Sequence, residues 1–310
     1  MKLAFVFPGQ GSQSVGMMRA FADSAEVRAV FHEASSALGQ DLWTLVEQGP
    51  AEELNSTVNT QPVMLTAGYA VYRAWRAAGG PEPDFVAGHS LGEYTALVVA
   101  GALAFRDAVP LVRLRAQAMQ EAVAIGEGAM AAILGLDDDA LRAACGEAAQ
   151  GQVVEPVNFN APSQVVIAGH KAAVERGMAS AKARGAKRAV LLPVSAPFHS
   201  SLLKPAAERL AARLAEIAVN APRIPVVNNV DVAIESDPQR IRDALARQAC
   251  GPVRWVELVR RLADAGVGHV AECGPGKVLA ALTRRIDERL QGYAITDPES
   301  LGQTLAKVRS

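Results

Sequence analysis

The chain has 310 residues, half of them hydrophobic and one fifth charged, so it can bury a substantial core in one large domain or in a domain carrying an insertion. A net charge of −1 supplies no overall field for nucleic acid, and no nucleic-acid partner is expected. The longest strongly apolar run, ALVVAGALAF (96–105), falls well short of the ~20 residues that span a bilayer. LAFVF near the start is too short for a signal-peptide core. Cys145, Cys250 and Cys273 form no CxxC pair, so neither a zinc site nor a disulfide framework is expected, and a reducing cytoplasm is.

In chain order, short apolar runs ending in turn residues alternate with longer helical patterns. LAFVF (3–7) runs into PGQGSQ, and DFVAG (84–88) into HSLG. IPVVNNV (224–230) runs into a polar turn, and HVAEC (269–273) into GPGK. Helical periodicity covers 60–77, 91–103, 107–123, 200–218 and 254–265. Buried strands alternating with amphipathic helices predict an α/β fold with a parallel sheet covered on both faces. The middle differs. Strands at 130–136, 153–160, 164–170 and 188–194, with helices at 138–149 and 171–184, spell βαββαβ, the ferredoxin-like unit. Such an insertion leaves a cleft between two parts, a favoured place for a ligand.

GHSLG (88–92) fits G-x-S-x-G between an apolar strand and a helical pattern. A tight strand-to-helix turn would expose the Ser90 hydroxyl at a helix N-terminus, with the Leu91 N–H as the natural oxyanion donor. Of the five histidines, His32 and His269 lack polar company, His170 reads as a surface residue, and His89 should point away from the serine. His199, in SAPFHSS, follows the last strand of the insertion and faces the predicted cleft, which makes it the candidate base. No orienting carboxylate stands out, so a carbonyl or amide could hold the imidazole instead.

PGQGSQ lacks the third glycine of a dinucleotide fingerprint, and GPGK lacks the first glycine and the Ser/Thr of a P-loop. Both loops nevertheless follow strands, where open sheets build their sites. One residue breaks the pattern of its helix. Leu111, Ala118, Met119 and Ala122 form an apolar stripe, and Arg115 falls in its middle. Arg113 falls with Gln117 and Gln120, where a charge is ordinary. A guanidinium buried in an apolar stripe needs an anion.

Taken together, FVFPGQGSQ, NTQPVML, GHSLGEYTAL, LRAQAMQEA, NFNAPSQVVIAG, LPVSAPFHSSLLKPA, GPVRW and ECGPGKVLAAL resemble, in order and over essentially the whole chain, the malonyl-CoA:acyl carrier protein transacylase family. The resemblance implies a large α/β-hydrolase-like subdomain with a mainly parallel sheet (1–126 and 197–310) and an inserted ferredoxin-like subdomain (127–196). It implies Ser90 as acylated nucleophile and His199 as its base, held by the backbone carbonyl of Gln248. The Gln10 side chain and the Leu91 N–H would frame the acyl oxygen. Gln61 would line the acyl pocket, Asn160 would support its wall, and Phe198 would crowd a C2 branch. Arg115 would grip the free malonyl carboxylate.

The reaction implied is ping-pong transfer from malonyl-CoA to the phosphopantetheine thiol of holo-acyl carrier protein by a cytoplasmic monomer, with no metal or bound cofactor. The basic clusters KARGAKR (182–188) and Arg284-Arg285 are the candidate faces for the acidic carrier protein, although such clusters are commonly only solvated. The competing readings are a serine esterase or thioesterase on a related fold, and a non-catalytic carrier-binding protein. Arg115 separates the first of these, because a monocarboxylic ester offers a buried cation no partner.

Overall fold

The computed structural model describes residues 1–309. Among the described residues nine strands form two sheets. Strands β1 (Lys2–Phe7), β2 (Phe85–Gly88), β7 (Val226–Val227), β8 (Val267–Cys273) and β9 (Gln291–Ile295) build a five-stranded parallel sheet in the order β7-β2-β1-β8-β9. Strands β3 (Gly128–Leu134), β4 (Val154–Ala161), β5 (Gln164–His170) and β6 (Arg188–Leu191) form an antiparallel sheet in the order β4-β5-β3-β6.

Strand β1 shows why the first sheet is buried on both sides. Successive side chains point to opposite faces. Leu3, Phe5 and Phe7 enter one apolar cluster with Val63, Leu65 and Trp75 of the helix Thr57–Ala77, and with Val109 and Val112 of the helix Phe105–Glu121. Ala4 and Val6 enter a second cluster with Leu258 and Leu262 of the helix Trp255–Asp264, and with Leu279 and Leu282 of the helix Val278–Ile286. Helices therefore cover both faces, as a parallel sheet requires.

The antiparallel sheet buries one face, including Ile133, Val165 and Ile167, against the helices Asp138–Ala149 and Lys171–Ala183. Met130, Val157 and Val166 lie on its other face, packed with Val194 and Phe198. The two parts are joined along β4: Phe159 donates to the Val253 carbonyl at 3.0 Å and Val253 to that of Val157 at 2.8 Å.

The expected strands and helices are present with shifted ends. IPVVNNV is the main correction, since only Val226–Val227 pair as a strand. Asn228 and Asn229 leave the ladder because their groups are used elsewhere: the Asn228 N–H donates to Ala233 O, and Asn229 bonds the β2 turn. The edge strand β9 and the helices Ala25–Leu38, Pro238–Ala249 and Pro298–Arg309 complete the larger part. No described helix is long and apolar enough to cross a membrane.

The carboxyl ends of β1, β2 and β8 converge at glycines. A Cβ on Gly92 would sit 2.0 Å from the Phe7 carbonyl oxygen, and one on Gly88 would sit 1.8 Å from the Gly92 carbonyl carbon. Neither neighbour can yield, because both belong to backbone in paired elements. Gly92→Ala is therefore expected to cost about 3 kcal/mol or more of stability, read as a lowered urea midpoint at unchanged slope.

Candidate functional site

Strand β2 ends at Gly88, the helix Gly92–Val99 begins four residues later, and Ser90 is forced into left-handed backbone at φ 53°. Non-glycine residues adopt that conformation at a cost, so the turn must be held from outside. Asn229 holds it. Its Nδ2 donates to the Gly88 carbonyl at 2.7 Å, and its Oδ1 accepts from the Ser90 N–H at 2.7 Å. The hydroxyl is left pointing into a cleft of about 680 Å³ between the two sheets, within the range of small-molecule sites.

His199 reaches the serine from the other side of the cleft. It also has positive φ, 67°, and its Nε2 lies 2.7 Å from Ser90 Oγ. Its Nδ1 lies 2.8 Å from the Gln248 carbonyl oxygen, an acceptor only, so Nδ1 carries the proton and Nε2 is free to accept one. The loop bearing the imidazole is tied down by Ser200 Oγ, which donates to Pro197 O at 2.7 Å. It is also tied to the antiparallel sheet, because Glu155 on β4 accepts from the Ser201 N–H at 2.7 Å and from Ser201 Oγ at 2.8 Å.

Arg115 is buried, 2% exposed, as its place in the apolar stripe requires. Its Nη1 donates to Gln61 Oε1 at 2.8 Å, and its Nη2 to Gln248 Oε1 at 2.9 Å and to Ser90 Oγ at 3.1 Å. Its Nε has no acceptor, and the guanidinium lies 5.3 Å from the centre of the Tyr94 ring. Every hydrogen-bond acceptor of Arg115 is neutral, and among the described residues no carboxylate forms an ion pair with it.

The reading of Arg113 needs correction. It is half-buried rather than freely solvated, and its Nη2 donates to Gln40 on the loop after the helix Ala25–Leu38. The remaining expected residues divide. Gln61, Phe198, Leu91 and Gln10 line the cleft, with Met119 and Met130 beside them. Phe198 packs at once against the cluster of Met119 and Leu203 and against that of Met130 and Val157.

The Gln10 side chain lines the cleft, with its Nε2 donating one of its two hydrogens to Thr57 Oγ1 at 3.0 Å. The main-chain N–H groups of Gln10 and Leu91 have no acceptor among the described residues and are further available donors. Asn160 does not reach the cleft. Its Oδ1 lies 2.7 Å from Nε2 of His89, turned away from the serine as expected, while Asn158 two residues earlier takes the place on the wall. His269 is buried and has the Tyr293 hydroxyl 3.0 Å from its Nδ1, and half-buried His170 accepts from the Val153 N–H, so neither is the bare residue expected.

Two polar groups went unread. Asn229 sat in what looked like a strand, and Glu93 looked like an ordinary acid in the first turn of a helix. The signal was there for Glu93: the helix GEYTALVV is buried along its whole length, so its one acid had to be inside. Glu93 is 2% exposed, and its Oε2 accepts from the Asn229 N–H at 2.9 Å and from Gln248 Nε2 at 3.0 Å. Burial pushes its carboxyl up to about 7, against those hydrogen bonds and the nearby Arg115 charge.

A serine on a strained turn, an imidazole hydrogen-bonded to it and main-chain N–H groups beside it are the groups that acyl transfer or ester hydrolysis through a serine would use. A model of the acyl transferase domain matches residues 4–296. The malonyl CoA-acyl carrier protein transacylase of Escherichia coli K12 is 58% identical over 305 residues, 98% of this chain and 99% of that protein. That of Bacillus subtilis 168 is 45% identical over 302 residues, 97% and 95% of the two chains.

The crystal structure of an acyl-carrier-protein S-malonyltransferase from Burkholderia pseudomallei superposes with a TM-score of 0.98 at 67% identity, covering 99% of this chain and 100% of that one. A type II PKS acyl-carrier protein in complex with its malonyl-transacylase matches with a TM-score of 0.98 at 53% identity, covering 99% of this chain and 100% of that one. The chain belongs to the acyl transferase family, in the branch formed by the malonyl CoA-acyl carrier protein transacylases.

Burial, and after it the Arg115 charge, pull the His199 imidazole down to about 3. An unfolded histidine protonates near 6.5. Between pH 6.5 and about 3 the unfolded chain therefore binds a proton that folded His199 refuses, and stability falls as the pH falls through that window. The loss of stability from pH 7 to pH 5 is expected to be about 2 kcal/mol smaller in His199→Gln than in wild type, measured by urea unfolding at both pH values.

Proposed function

We propose that the chain carries malonyl groups from malonyl-CoA to the phosphopantetheine thiol of holo-acyl carrier protein through a malonyl-Ser90 ester. Neutral His199 takes the Ser90 proton as Oγ attacks the thioester carbonyl, and it returns the proton to the departing coenzyme A thiolate. The developing oxyanion is received by the main-chain N–H groups of Gln10 and Leu91. In the second half-reaction the carrier thiol gives its proton to His199, attacks the ester, and leaves Ser90 reprotonated. This ping-pong course needs no third substrate and no cofactor.

The observation that carries this reading is Arg115. A buried guanidinium with only neutral acceptors, 3.1 Å from the nucleophile, retains unmatched positive charge where an acyl group would be attached. A malonyl carboxylate matches it in a charge-assisted, two-point pair, and an acetyl group offers it nothing. Gln61 and Gln248 hold the fork in place until then. Phe198, wedged between two apolar clusters, limits the space beside C2 of the acyl group. Asn160 supports the wall at one remove, through His89.

In this reading residues 127–196 are a ferredoxin-like insertion in an α/β-hydrolase-like subdomain formed by 1–126 and 197–310. The strand order β4-β5-β3-β6 supports the first assignment, and the strand–serine–helix turn in a parallel sheet supports the second. The chain acts as a cytoplasmic monomer. The carrier protein approaches over the exposed bases of 182–188 and Arg284-Arg285, of which Arg184 is already paired with Glu147.

Two experiments test the reading. Incubation with malonyl-CoA alone should add one malonyl group to the wild type and none to Ser90→Ala, by intact mass. Free malonate without malonyl-carrier, once holo-carrier is added, would instead mark a hydrolase. In Arg115→Ala, malonyl transfer is expected to fall about 100-fold or more while acetyl transfer stays within about ten-fold. An unchanged malonyl-to-acetyl preference would remove the clamp.

A further inference from the structure

Three groups of the site are held by residues that do not line the cleft. The Ser90 turn is held by Asn229, through its two 2.7 Å bonds to the Ser90 N–H and the Gly88 carbonyl. Arg115 and His199 are both held by Gln248, whose Oε1 and main-chain oxygen accept from them. Gln248 also reaches the serine directly, its Nε2 donating to the Ser90 carbonyl at 2.9 Å. Asn229 and Gln248 come from different places, the loop after β7 and the helix Pro238–Ala249. One atom joins them: Glu93 Oε2 accepts from both.

The arrangement is economical in a physical sense. A primary amide has a donor end and an acceptor end, and its orientation is set only if its neighbours discriminate between them. Gln248 must present oxygen to Arg115, so its nitrogen must find acceptors. The Ser90 carbonyl is one and the Glu93 carboxylate is the other. Were Glu93 replaced by a donor, Gln248 would face donors on both sides and would turn.

The Asn229 backbone is fixed in the same way, and with it the direction of the side chain that strains Ser90. Glu93 itself cannot drift, since it lies in the first turn of a helix buried from end to end, with Gly92 packed against Phe7. Its carboxyl also lies within the field of Arg115.

We propose that Glu93 is the positioning residue of the acyl-transfer site, orienting Gln248 and Asn229 so that Ser90, His199 and Arg115 stand in register. It touches neither substrate nor the reacting atoms. It gives the two amides one shared, buried acceptor. This inference rests on Ser90 being the acylated nucleophile.

The test compares Glu93→Asp, which withdraws the carboxylate by one methylene, with Glu93→Gln, which keeps an acceptor oxygen at the original reach. Single-turnover acylation of Ser90 is measured with malonyl-CoA and with acetyl-CoA, followed by steady-state transfer to holo-carrier protein. In E93D, kcat is expected to fall about 10- to 100-fold for both acyl donors with KM within about three-fold, and E93Q to return to within about five-fold of wild type. Circular dichroism and melting temperature are recorded for each.

A kcat in E93D within two-fold of wild type overturns the proposal. So does a loss confined to malonyl-CoA, which would make Glu93 a charge partner of Arg115 alone. Equal losses in E93D and E93Q that follow a common fall in melting temperature also overturn it, as a merely structural role. Should E93D not fold, Gln248→Met reads the same connection by removing the amide that Glu93 orients: a fall in kcat for both donors upholds it, and an unchanged kcat overturns it. Wild-type enzyme that forms no malonyl-Ser90 would remove the functional reading itself, a result distinct from all of these.

Discussion

A cation taken out of water must be answered by something, and the cleft of this enzyme is organised around one that is answered only in part. Arg115 lies 2% exposed with its fork spread over two amide oxygens and the serine hydroxyl. Neutral acceptors satisfy the hydrogen bonds of a guanidinium without cancelling its charge. A fully paired arginine would be more stable and would have nothing left for a ligand. The site therefore holds its desolvated charge hydrogen-bonded but not neutralised.

That arrangement constrains its neighbours. The amides that accept from Arg115 must not rotate, so Gln248 is fixed at its nitrogen end by the Ser90 carbonyl and by Glu93. The same Gln248 offers its main-chain oxygen to His199. A carboxylate in that position would bring a negative charge close to Arg115 and draw on it. A carbonyl sets the tautomer of the imidazole with no net charge. The absent triad acid and the unpaired arginine are two sides of one electrostatic requirement.

The large sheet, the βαββαβ segment and the serine turn were legible because each rests on a local signal: apolar runs of strand length, helical periodicity, and glycines where chains crowd. Arg115 was legible for the opposite reason, as a charge where periodicity demanded an apolar residue. Asn229 was not, because β-rich neighbours made VVNN read as one strand, and what removes it from the ladder is a bond to a residue 139 positions away. Gln10 and Asn160 lie at or beside the cleft, and each side chain is engaged by a partner that the sequence pattern does not name. Side-chain direction depends on neighbours such as Thr57 and His89 that no local pattern specifies.

The loop that carries the imidazole is fastened by Ser201 to Glu155 on β4, whereas the nucleophile is fastened by Asn229 to the parallel sheet. The imidazole is thus tied to both parts, through Ser201 to β4 and through the Gln248 carbonyl to the helix Pro238–Ala249, while Ser90 is tied to the larger part alone. An ångström of spreading is enough to part the pair. A shift of the antiparallel sheet along its join with Val253 would therefore reach His199 before it reached Ser90.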